Sequence, residues 1–293
     1  MRTYVDCVPC FARQALDAVR MATDDPALQA RVMRRVLTQC AEFSFELPPP
    51  VMGAQIHRIV REETGEPDPY LERKQAANQL GLEILAALRD RVDRADDPFG
   101  AAVRLAIAAN VIDLGAKSGE ELSEAVVRAE LGGALDKELP GGAVDVLRGS
   151  TARAHSVLYL ADNAGEIAFD RLLIEHLPAG TVTVAVRGAP VINDATLEDA
   201  EAVGLPDVAR VITNGGAVPG TLLDECDEVL RRCFAEADVV ISKGQGNYET
   251  LSDEKRPNLF FLLRVKCPVL ARDLECSVGQ LIVRAGQGGT PDS

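Results

Sequence analysis

The 293-residue sequence lacks any apolar run near the roughly 20 residues needed to span a bilayer. Positive charge is scarce, since 31 Lys and Arg face 45 Asp and Glu and leave a net charge of −14. That balance argues against a nucleic acid or an anionic membrane as partner. The amino-terminal stretch MRTYVDCVPC lacks the apolar core of a signal peptide. Seven cysteines, an odd number in a long chain, fit reduced thiols better than a disulfide framework. We therefore expect a cytoplasmic protein.

Several motifs of known chemistry are also missing. The chain has no G-x-x-x-x-G-K-[ST] loop and no G-x-G-x-x-G after its first predicted strand, so neither a Walker loop nor a dinucleotide site is expected. Its three histidines lack a Ser or Cys partner in a nucleophile motif. Cys7 and Cys10 have metal-ligand spacing, but no second C-x-x-C follows. We expect them to pack, and leave open whether the fold brings Cys267 near them as a second metal or redox site.

The sequence pattern changes near residue 150. Before that point apolar residues recur at helical spacing, and no stretch alternates as a strand would. After it, five short β-branched runs alternate with helical stretches: Val157–Leu160, Val182–Val186, Val208–Ile212, Val239–Ile241 and Leu259–Leu263. Such alternation predicts an α/β fold with a parallel sheet covered by helices on both faces. We expect a helical domain over 1–150 and a sheet-containing domain over 151–293.

The first predicted strand leads into the turn ADNAGE, which precedes a helix. Asp162, Asn163 and Glu166 bring three oxygen-bearing side chains to the carboxyl end of that strand, where ligands bind in open α/β sheets. Carboxylate and amide oxygens are what a hard cation such as Mg²⁺ or Mn²⁺ prefers. The alternative is that Asp162 and Asn163 only cap the helix.

The second predicted strand ends in a similar way. Arg187 closes the strand, and Asn193-Asp194 precedes the next helix. Consecutive parallel strands are often neighbours, so Asp194 is expected beside Asp162 and Asn163. A simple helix cap at Asp194 is the alternative.

Polar residues in two later stretches and one earlier one complete the candidate set. Lys243 follows the fourth strand and precedes Gly244, whose backbone allows close approach to a phosphate, and Lys266 follows the fifth strand. Asn110 and Asp113 interrupt an apolar helix one turn apart. They either tie that helix to a loop or reach the crevice.

These stretches together resemble the metal-dependent damage-control phosphatase family, formerly domain-of-unknown-function family 89. The matching segments are, in chain order, CVPC at 7–10, TGEPDPY at 64–70, NVIDLG at 110–115, DNAGE at 162–166, RGAPVINDAT at 187–196, KGQGNYETL at 243–251 and RVKC at 264–267. They span nearly the whole chain in order. The stand-alone form with an amino-terminal C-x-x-C is similar to the prokaryotic subfamily.

The resemblance implies a helical amino-terminal domain packed on a Rossmann-like α/β/α domain. It implies a divalent metal ion (Mg, Mn, Co or Ni) held by Asp162, Asn163 and Asp194. By the same carry-over, a phosphometabolite pocket would be lined by Glu166, Lys243, Gly244, Asn247 and Lys266, with Asn110 and Asp113 beside it. We expect Arg187, at the end of the second strand, to bind substrate as well.

We therefore expect a metal-dependent phosphatase acting on a small phosphorylated metabolite, either a sugar phosphate or a damaged cofactor-type phosphoester. Lys243 and Lys266 would neutralise phosphoryl charge, and Glu166 or Asp162 would serve as base. The chain has Arg264-Val265-Lys266 where the sugar-phosphate branch has Arg-Thr-x-Lys, which leaves the substrate open.

Three other functions stay open. An S-adenosylmethionine-dependent methyltransferase binds its cofactor at the same turn, although this turn is not glycine-rich. An aspartyl-phosphate enzyme would need Asp-x-Asp, and Ala164 stands at the second position. A non-catalytic phosphometabolite-binding protein is the third, and the oligomeric state is also open.

Overall fold

The computed structural model describes residues 1–112, 124–137, 139 and 142–287, and Asp113 lies outside them. The α-helices among these residues are α1 Val8–Ala22, α2 Pro26–Glu42, α3 Pro49–Thr64, α4 Leu71–Asp93, α5 Pro98–Ala108, α6 Glu124–Ala134, α7 Ala143–Arg153, α8 Ile167–Glu175, α9 Leu197–Ala202, α10 Glu228–Glu236, α11 Gly244–Leu251 and α12 Pro268–Asp273. The strands are β1 Val157–Leu160, β2 Val182–Val186, β3 Arg210–Thr213, β4 Val239–Lys243, β5 Leu259–Arg264 and β6 Leu281–Ala285.

Local sequence signals set several helix ends. Helices α2 and α5 both begin with proline after an aspartate whose side chain accepts a backbone N–H: Asp25 from Ala27 and Asp97 from Gly100. Both features favour a helix start, because proline needs no hydrogen bond there and aspartate satisfies an otherwise unpaired donor. Helix α3 ends at Gly65, which has a φ of 75°.

Helices α1, α2 and α3 pack together around a core of their own. This core also takes in Val191 and Ile192, which belong to the loop after β2. The loop that carries Asp194 is therefore anchored on the helical part of the chain.

The six strands form one sheet in the order β3-β2-β1-β4-β5-β6. Strands β1 to β5 are parallel, and β6 runs antiparallel to β5 at one edge. The chain order reverses direction between β1 and β4, and in such sheets ligands bind at the carboxyl ends of the two strands beside the reversal. The turn after β1 and the start of α11 after β4 both lie there.

Alternate residues of β1 enter two different cores, which shows that the sheet is covered on both faces. Val157 and Tyr159 pack with α4, α5 and α8, whereas Leu158 and Leu160 pack with α10, α11 and α12. The first of these cores contains side chains from both sides of residue 150. The division into two domains at that residue stays a prediction.

The predicted α/β fold is confirmed, and all five predicted strands are present within a few residues of their expected bounds. Strand β6 was missed, because its apolar run is short and follows no helical stretch that would indicate another strand–helix unit. Before Val157, the described residues contain helices and turns but no strand, as expected. Within the described residues, every helix is too short or too polar to cross a lipid bilayer.

Candidate active site

The turns after β1 and β2 are joined by their backbones. Asn163 and Asp194 form an isolated antiparallel bridge. The Ala164 N–H donates to the carbonyl oxygen of Asn193 at 2.9 Å, and the Ala195 N–H donates to that of Asp162 at 2.8 Å. The predicted meeting of Asp162, Asn163 and Asp194 therefore occurs.

Negative charge is concentrated around Asp162. Burial, and after it the carboxylates of Glu166 and Asp194, raise the pKa of Asp162 to about 8. Lys266 and Arg187 act in the opposite direction and lower this pKa. A cation at this position would relieve the repulsion among the carboxylates.

The amide of Asn163 has a fixed orientation. Its Nδ2 donates to Asp162 Oδ2 at 2.7 Å and to Glu166 Oε2 at 2.9 Å. A flipped amide would set its oxygen against two carboxylates, so only the observed orientation is favourable. The Asn163 Oδ1 atom is thereby left to accept from, or coordinate, a group other than these carboxylates.

Arg187 holds the second aspartate. Its Nε donates to Asp194 Oδ2 at 2.6 Å, its Nη2 lies 4.0 Å from Asp162 Oδ1, and the side chain is buried. Arg187 was predicted to bind substrate. The structure places its guanidinium between the two carboxylates and at the wall of a neighbouring cavity.

The loop before Asp194 is strained. Ile192 has a φ of 47°, a region that β-branched residues rarely adopt. The Asp194 N–H donates to the carbonyl oxygen of Val191 at 3.1 Å and closes the turn. Burial of Val191 and Ile192 in the α1–α3 core offsets the strain and fixes the direction in which Asp194 leaves the turn.

Lys243 does not reach the crevice. Its side chain is 0% exposed, and its ammonium donates to the carbonyl oxygen of Ala106 at 2.8 Å, to Glu166 Oε1 at 2.6 Å and to Asp170 Oδ1. The expectation that it emerges beside a phosphate is wrong. Val239 and Ile241 face the core formed with α5 and α8, and strand alternation sends Lys243 toward the same side.

Glu166 is engaged on both oxygens. Its Oε1 accepts from Lys243, and its Oε2 accepts from Asn163 and, at 2.6 Å, from Asn110 Nδ2. The side chain is 1% exposed. A carboxylate with three donors and no exposure is poorly placed to take a proton from water, so the structure argues against Glu166 as the base.

Asp170 and Tyr159 extend this cluster below the site. The Tyr159 hydroxyl donates to Asp170 Oδ1 at 2.7 Å, the oxygen that Lys243 also contacts. Burial raises the pKa of Asp170 to about 6, while Lys243 acts to lower it. Neither residue was predicted from the sequence.

Asn247 was predicted to bind substrate, and the structure gives it a different task. Its Nδ2 donates to the carbonyl oxygens of Ala161 at 3.1 Å and Lys243 at 2.7 Å, while its Oδ1 accepts from Thr221 at 2.8 Å and from Arg187 at 3.3 Å. The side chain is fully buried. It therefore ties together the carboxyl ends of β1 and β4.

Gly244 lies directly against Asp162. It has a φ of 77°, and a Cβ built on it would lie 1.9 Å from Asp162 Oδ2. The sequence predicted a close approach of a phosphate at this glycine, whereas its neighbour in the structure is the Asp162 carboxylate.

We expect Gly244→Ala to displace the Asp162 carboxylate and to lower activity by about tenfold to 100-fold, as loss of a supporting group at a metal site does. A methyl group cannot fit, and the positive φ adds about 1–2 kcal/mol of strain. Gly180→Ala is the control, because Gly180 has the same φ of 77° with nothing within 4 Å of a built Cβ. Equal activity in the two variants, measured as kcat/KM, would contradict the predicted contact.

The two remaining predicted residues in the described part of the chain, Asn110 and Lys266, both lie near Asp162. Asn110 is buried in the 3-10 turn Ala109–Val111, donates to Asp162 Oδ2 at 3.3 Å and leaves its Oδ1 without a partner among the described residues. Lys266 follows β5, is partly exposed, and lies close enough to lower the pKa of Asp162. Lys266 is thus the predicted cation that meets both solvent and the carboxylates.

A cavity of about 700 Å³ lies between α4 and α9. Its floor contains the buried side chains of Lys74, Asn78, Asp199 and Arg187. Because Arg187 also contacts Asp194, the cavity adjoins the candidate site. Lys74 and Asn78 stand one helical turn apart on a buried helix face, and this spacing of two polar residues is visible in the sequence.

The donor set suits a hard divalent cation. Within the described residues, no three His, Cys, Asp or Glu side chains are arranged to hold a metal ion. The set proposed from the sequence is different, with two carboxylates and one amide oxygen. The crowding at Asp162 and the orientation of Asn163 both fit a cation bound by Asp162, Asn163 and Asp194.

The cysteines in the described part of the chain are all unbridged. Burial raises the pKa of Cys7, and the neighbouring Glu249, Cys267 and Cys10 raise it further. The fold therefore brings Cys267 near Cys7, and the packing role of Cys7 and Cys10 stays a prediction.

We expect the double variant Cys7→Ser, Cys10→Ser to keep its turnover, because neither thiol contributes to the cluster around Asp162. The measurement is the steady-state rate together with the metal content of both purified proteins. Stoichiometric zinc or iron in the wild type and its loss in the variant would contradict the packing role.

Comparisons with known proteins place this chain in one family. A family model described as the damage-control phosphatase ARMT1-like domain matches residues 3–282. A damage-control phosphatase of Archaeoglobus fulgidus is 34% identical over 284 residues, 95% of this chain and 97% of that protein. Damage-control phosphatase PH1575 of Pyrococcus horikoshii is 34% identical over 287 residues, 96% of this chain and 97% of that protein.

A solved structure agrees with these matches. The crystal structure of PH1575, a DUF89 family protein from Pyrococcus horikoshii, superposes with a TM-score of 0.89 and 32% identity. The match covers 98% of this chain and 100% of that one. The sequence matches and the structural match therefore agree on one class of protein. The chain belongs to the damage-control phosphatase family, as the resemblance predicted.

Proposed function

We propose that this protein is a metal-dependent phosphatase that hydrolyses monoesters of small phosphorylated metabolites. The observation that carries the proposal is the cluster at the ends of β1 and β2, where Asp162, Asn163 and Asp194 meet. Membership of the family supports the reaction class. In this reaction a water oxygen forms a bond to phosphorus, the ester P–O bond breaks, and the alcohol leaves.

Asp162, Asn163 Oδ1 and Asp194 would hold the divalent cation. When bound, that cation supplies Lewis-acid polarisation of the phosphoryl group. Glu166 and Asn110 would act indirectly, because their hydrogen bonds fix the Asn163 amide and one oxygen of Asp162.

Lys266 is the residue that we place against the phosphate. It lies near Asp162 and is partly exposed, whereas Lys243 and Arg187 are buried. An ammonium there would stabilise charge on phosphoryl oxygens that face away from the carboxylates. Asp162 Oδ1 lies 4.0 Å from Arg187 Nη2, and we take it as the candidate to accept the proton of the attacking water.

A metabolite screen tests the proposal. The purified protein is assayed on sugar phosphates, phosphorylated cofactor fragments and p-nitrophenyl phosphate with Mg²⁺, Mn²⁺, Co²⁺ and Ni²⁺ in turn. Release of inorganic phosphate that requires a cation and is lost on chelation is the expected result. Tight binding of phosphoesters without turnover under any cation would favour the binding-protein alternative. Saturable S-adenosylmethionine binding would favour the methyltransferase.

A further inference from the structure

Helix α4 carries two buried polar residues on the side that faces the candidate site. Lys74 is 2% exposed and Asn78 is 4% exposed, and both contact Asp199, which is 4% exposed. Burying such groups is costly unless each is satisfied by a partner. The hydrogen bonds and ion pairs that these residues make around the site offset the cost of burying them.

Asn78 binds the turn that carries Asp162 and Asn163. Its Oδ1 accepts the Gly165 N–H at 2.7 Å. The backbones of α4 and of this turn also approach each other closely. A Cβ on Gly81 would lie 2.5 Å from the Gly165 carbonyl oxygen, and one on Gly165 would lie 2.8 Å from that of Ala77. The turn therefore rests directly on α4.

The other end of the Asn78 amide reaches the loop after β2. Its Nδ2 donates to Asp199 Oδ1 at 2.8 Å. Asp199 Oδ2 accepts from the Thr196 N–H at 2.9 Å and from the Thr196 hydroxyl at 2.8 Å. Thr196 is two residues beyond Asp194, so this contact fixes the far end of the loop that carries the second aspartate.

Lys74 supplies the compensating charge. Its ammonium lies 3.2 Å from Asp199 Oδ2 and 2.8 Å from Asp68 Oδ2. The buried Asp199 carboxylate is thus paired with a cation while it accepts from Asn78 and Thr196.

We propose that Asn78 is a positioning residue that sets the separation of the two metal-binding turns, an inference that rests on the proposed function. An asparagine presents an acceptor to Gly165 and a donor to Asp199 at the same time. Alanine offers neither, and aspartate offers only acceptors while adding charge beside Asp199. Lys74 and Asp199 complete this brace, which is defined as Lys74, Asn78 and Asp199.

The main test is titration of the full-length protein with Mn²⁺ by calorimetry, with kcat, KM and Tm measured on the same samples. We expect Asn78→Ala to weaken Mn²⁺ binding by about 10–100-fold, the usual effect of removing a group that orients metal ligands. The rate should fall at subsaturating Mn²⁺, while KM for the phosphoester at saturating Mn²⁺ changes little. Asn78→Asp should be at least as impaired.

A destabilised control separates positioning from general loss of packing. Phe234 is buried in the last turn of α10, which leads into the amino end of β4, away from the site. Phe234→Leu should lower Tm and leave Mn²⁺ affinity unchanged. If Asn78→Ala binds Mn²⁺ as tightly as the wild type and differs only in Tm, the proposal is overturned.

A second variant covers the case in which Asn78→Ala fails to fold. Asp199→Asn keeps the shape of the side chain but weakens its hold on Lys74 and Thr196, and it should also reduce Mn²⁺ affinity. Unchanged affinity in Asp199→Asn would overturn the brace. If the wild type itself binds no divalent cation, the proposed function fails and the brace fails with it. Wild-type binding with unaffected variants refutes the brace alone.

Discussion

Asp162→Asn is expected to lower the phosphatase rate by at least ~100-fold, because it removes one of two carboxylates proposed to hold the cation and the candidate base. The asparagine keeps the shape of the side chain and can still accept from Asn163. Steady-state kinetics at saturating Mg²⁺ or Mn²⁺ measure the effect. Asp194→Asn should lose activity to a similar extent. Near-normal turnover by either variant would remove that residue from the proposed site.

The same substitution should change how stability depends on pH. The folded-state pKa of Asp162, about 8, lies above its ordinary value of 3.8, so the metal-free folded protein holds a proton that the unfolded chain has released. The stability that this group adds to the folded protein is fully present below its ordinary pKa of 3.8. It is lost as pH rises through about 8. Asp162→Asn should lack this loss. Asp170, whose pKa is raised to about 6, contributes a fall in both proteins, so the difference between them isolates Asp162.

Thermal unfolding in the presence of a chelator, from pH 5 to pH 9, provides the measurement. The variant should be more stable than the wild type at the alkaline end and similar to it at the acid end. Added Mn²⁺ should stabilise the wild type far more than the variant, because a ligand that binds only the folded state raises its stability. Parallel pH profiles of the two proteins without metal would contradict the raised pKa of Asp162.

Lys243→Met is expected to destabilise the protein by about 3–5 kcal/mol, the usual cost of leaving a buried charge without its partner. Lys243 is 0% exposed and lies between Glu166 and Asp170, which would both remain. Acid should partly restore the variant, since protonation removes the uncompensated charge. Urea unfolding at pH 5 and pH 8 measures both effects.

Lys266→Met is the matched control. Lys266 is partly exposed and lies near Asp162, so its loss should raise KM for the phosphoester with little change in stability. The two lysines should thus give opposite results, one in folding and the other in substrate binding. If Lys243→Met had normal stability and a raised KM for the phosphoester, Lys243 would have to be assigned to phosphate binding after all.

The meeting of Asp162, Asn163 and Asp194 could be predicted because it depends on topology. Residues that follow parallel neighbouring strands share one edge of the sheet whatever their side-chain conformations. The fold class followed for the same reason, since the alternation of short strands and helices is visible in the residue pattern.

The direction of Lys243 and the role of Asn78 could not be predicted in the same way. Lys243 continues the inward alternation of Val239 and Ile241, but a lysine at a strand end is equally compatible with solvent until its partners on α5 and α8 are known. Asn78 acts on residues about 90 and 120 positions away in the sequence. A single sequence contains no signal for such pairs, whereas local capping and periodicity are written in neighbouring residues.

The contact between α4 and the turn after β1 bears on how such an enzyme can diversify. Gly81 and Gly165 leave no space for a methyl group where α4 meets the turn after β1, and Gly244 leaves none beside Asp162, so substitution at these three positions would displace that turn or the Asp162 carboxylate. The walls of the adjoining cavity are different, because Gln75 and Glu198 are exposed there and can be exchanged without disturbing the core. Substitutions at this rim would therefore change the cavity while leaving the turns that carry Asp162 and Asp194 in place.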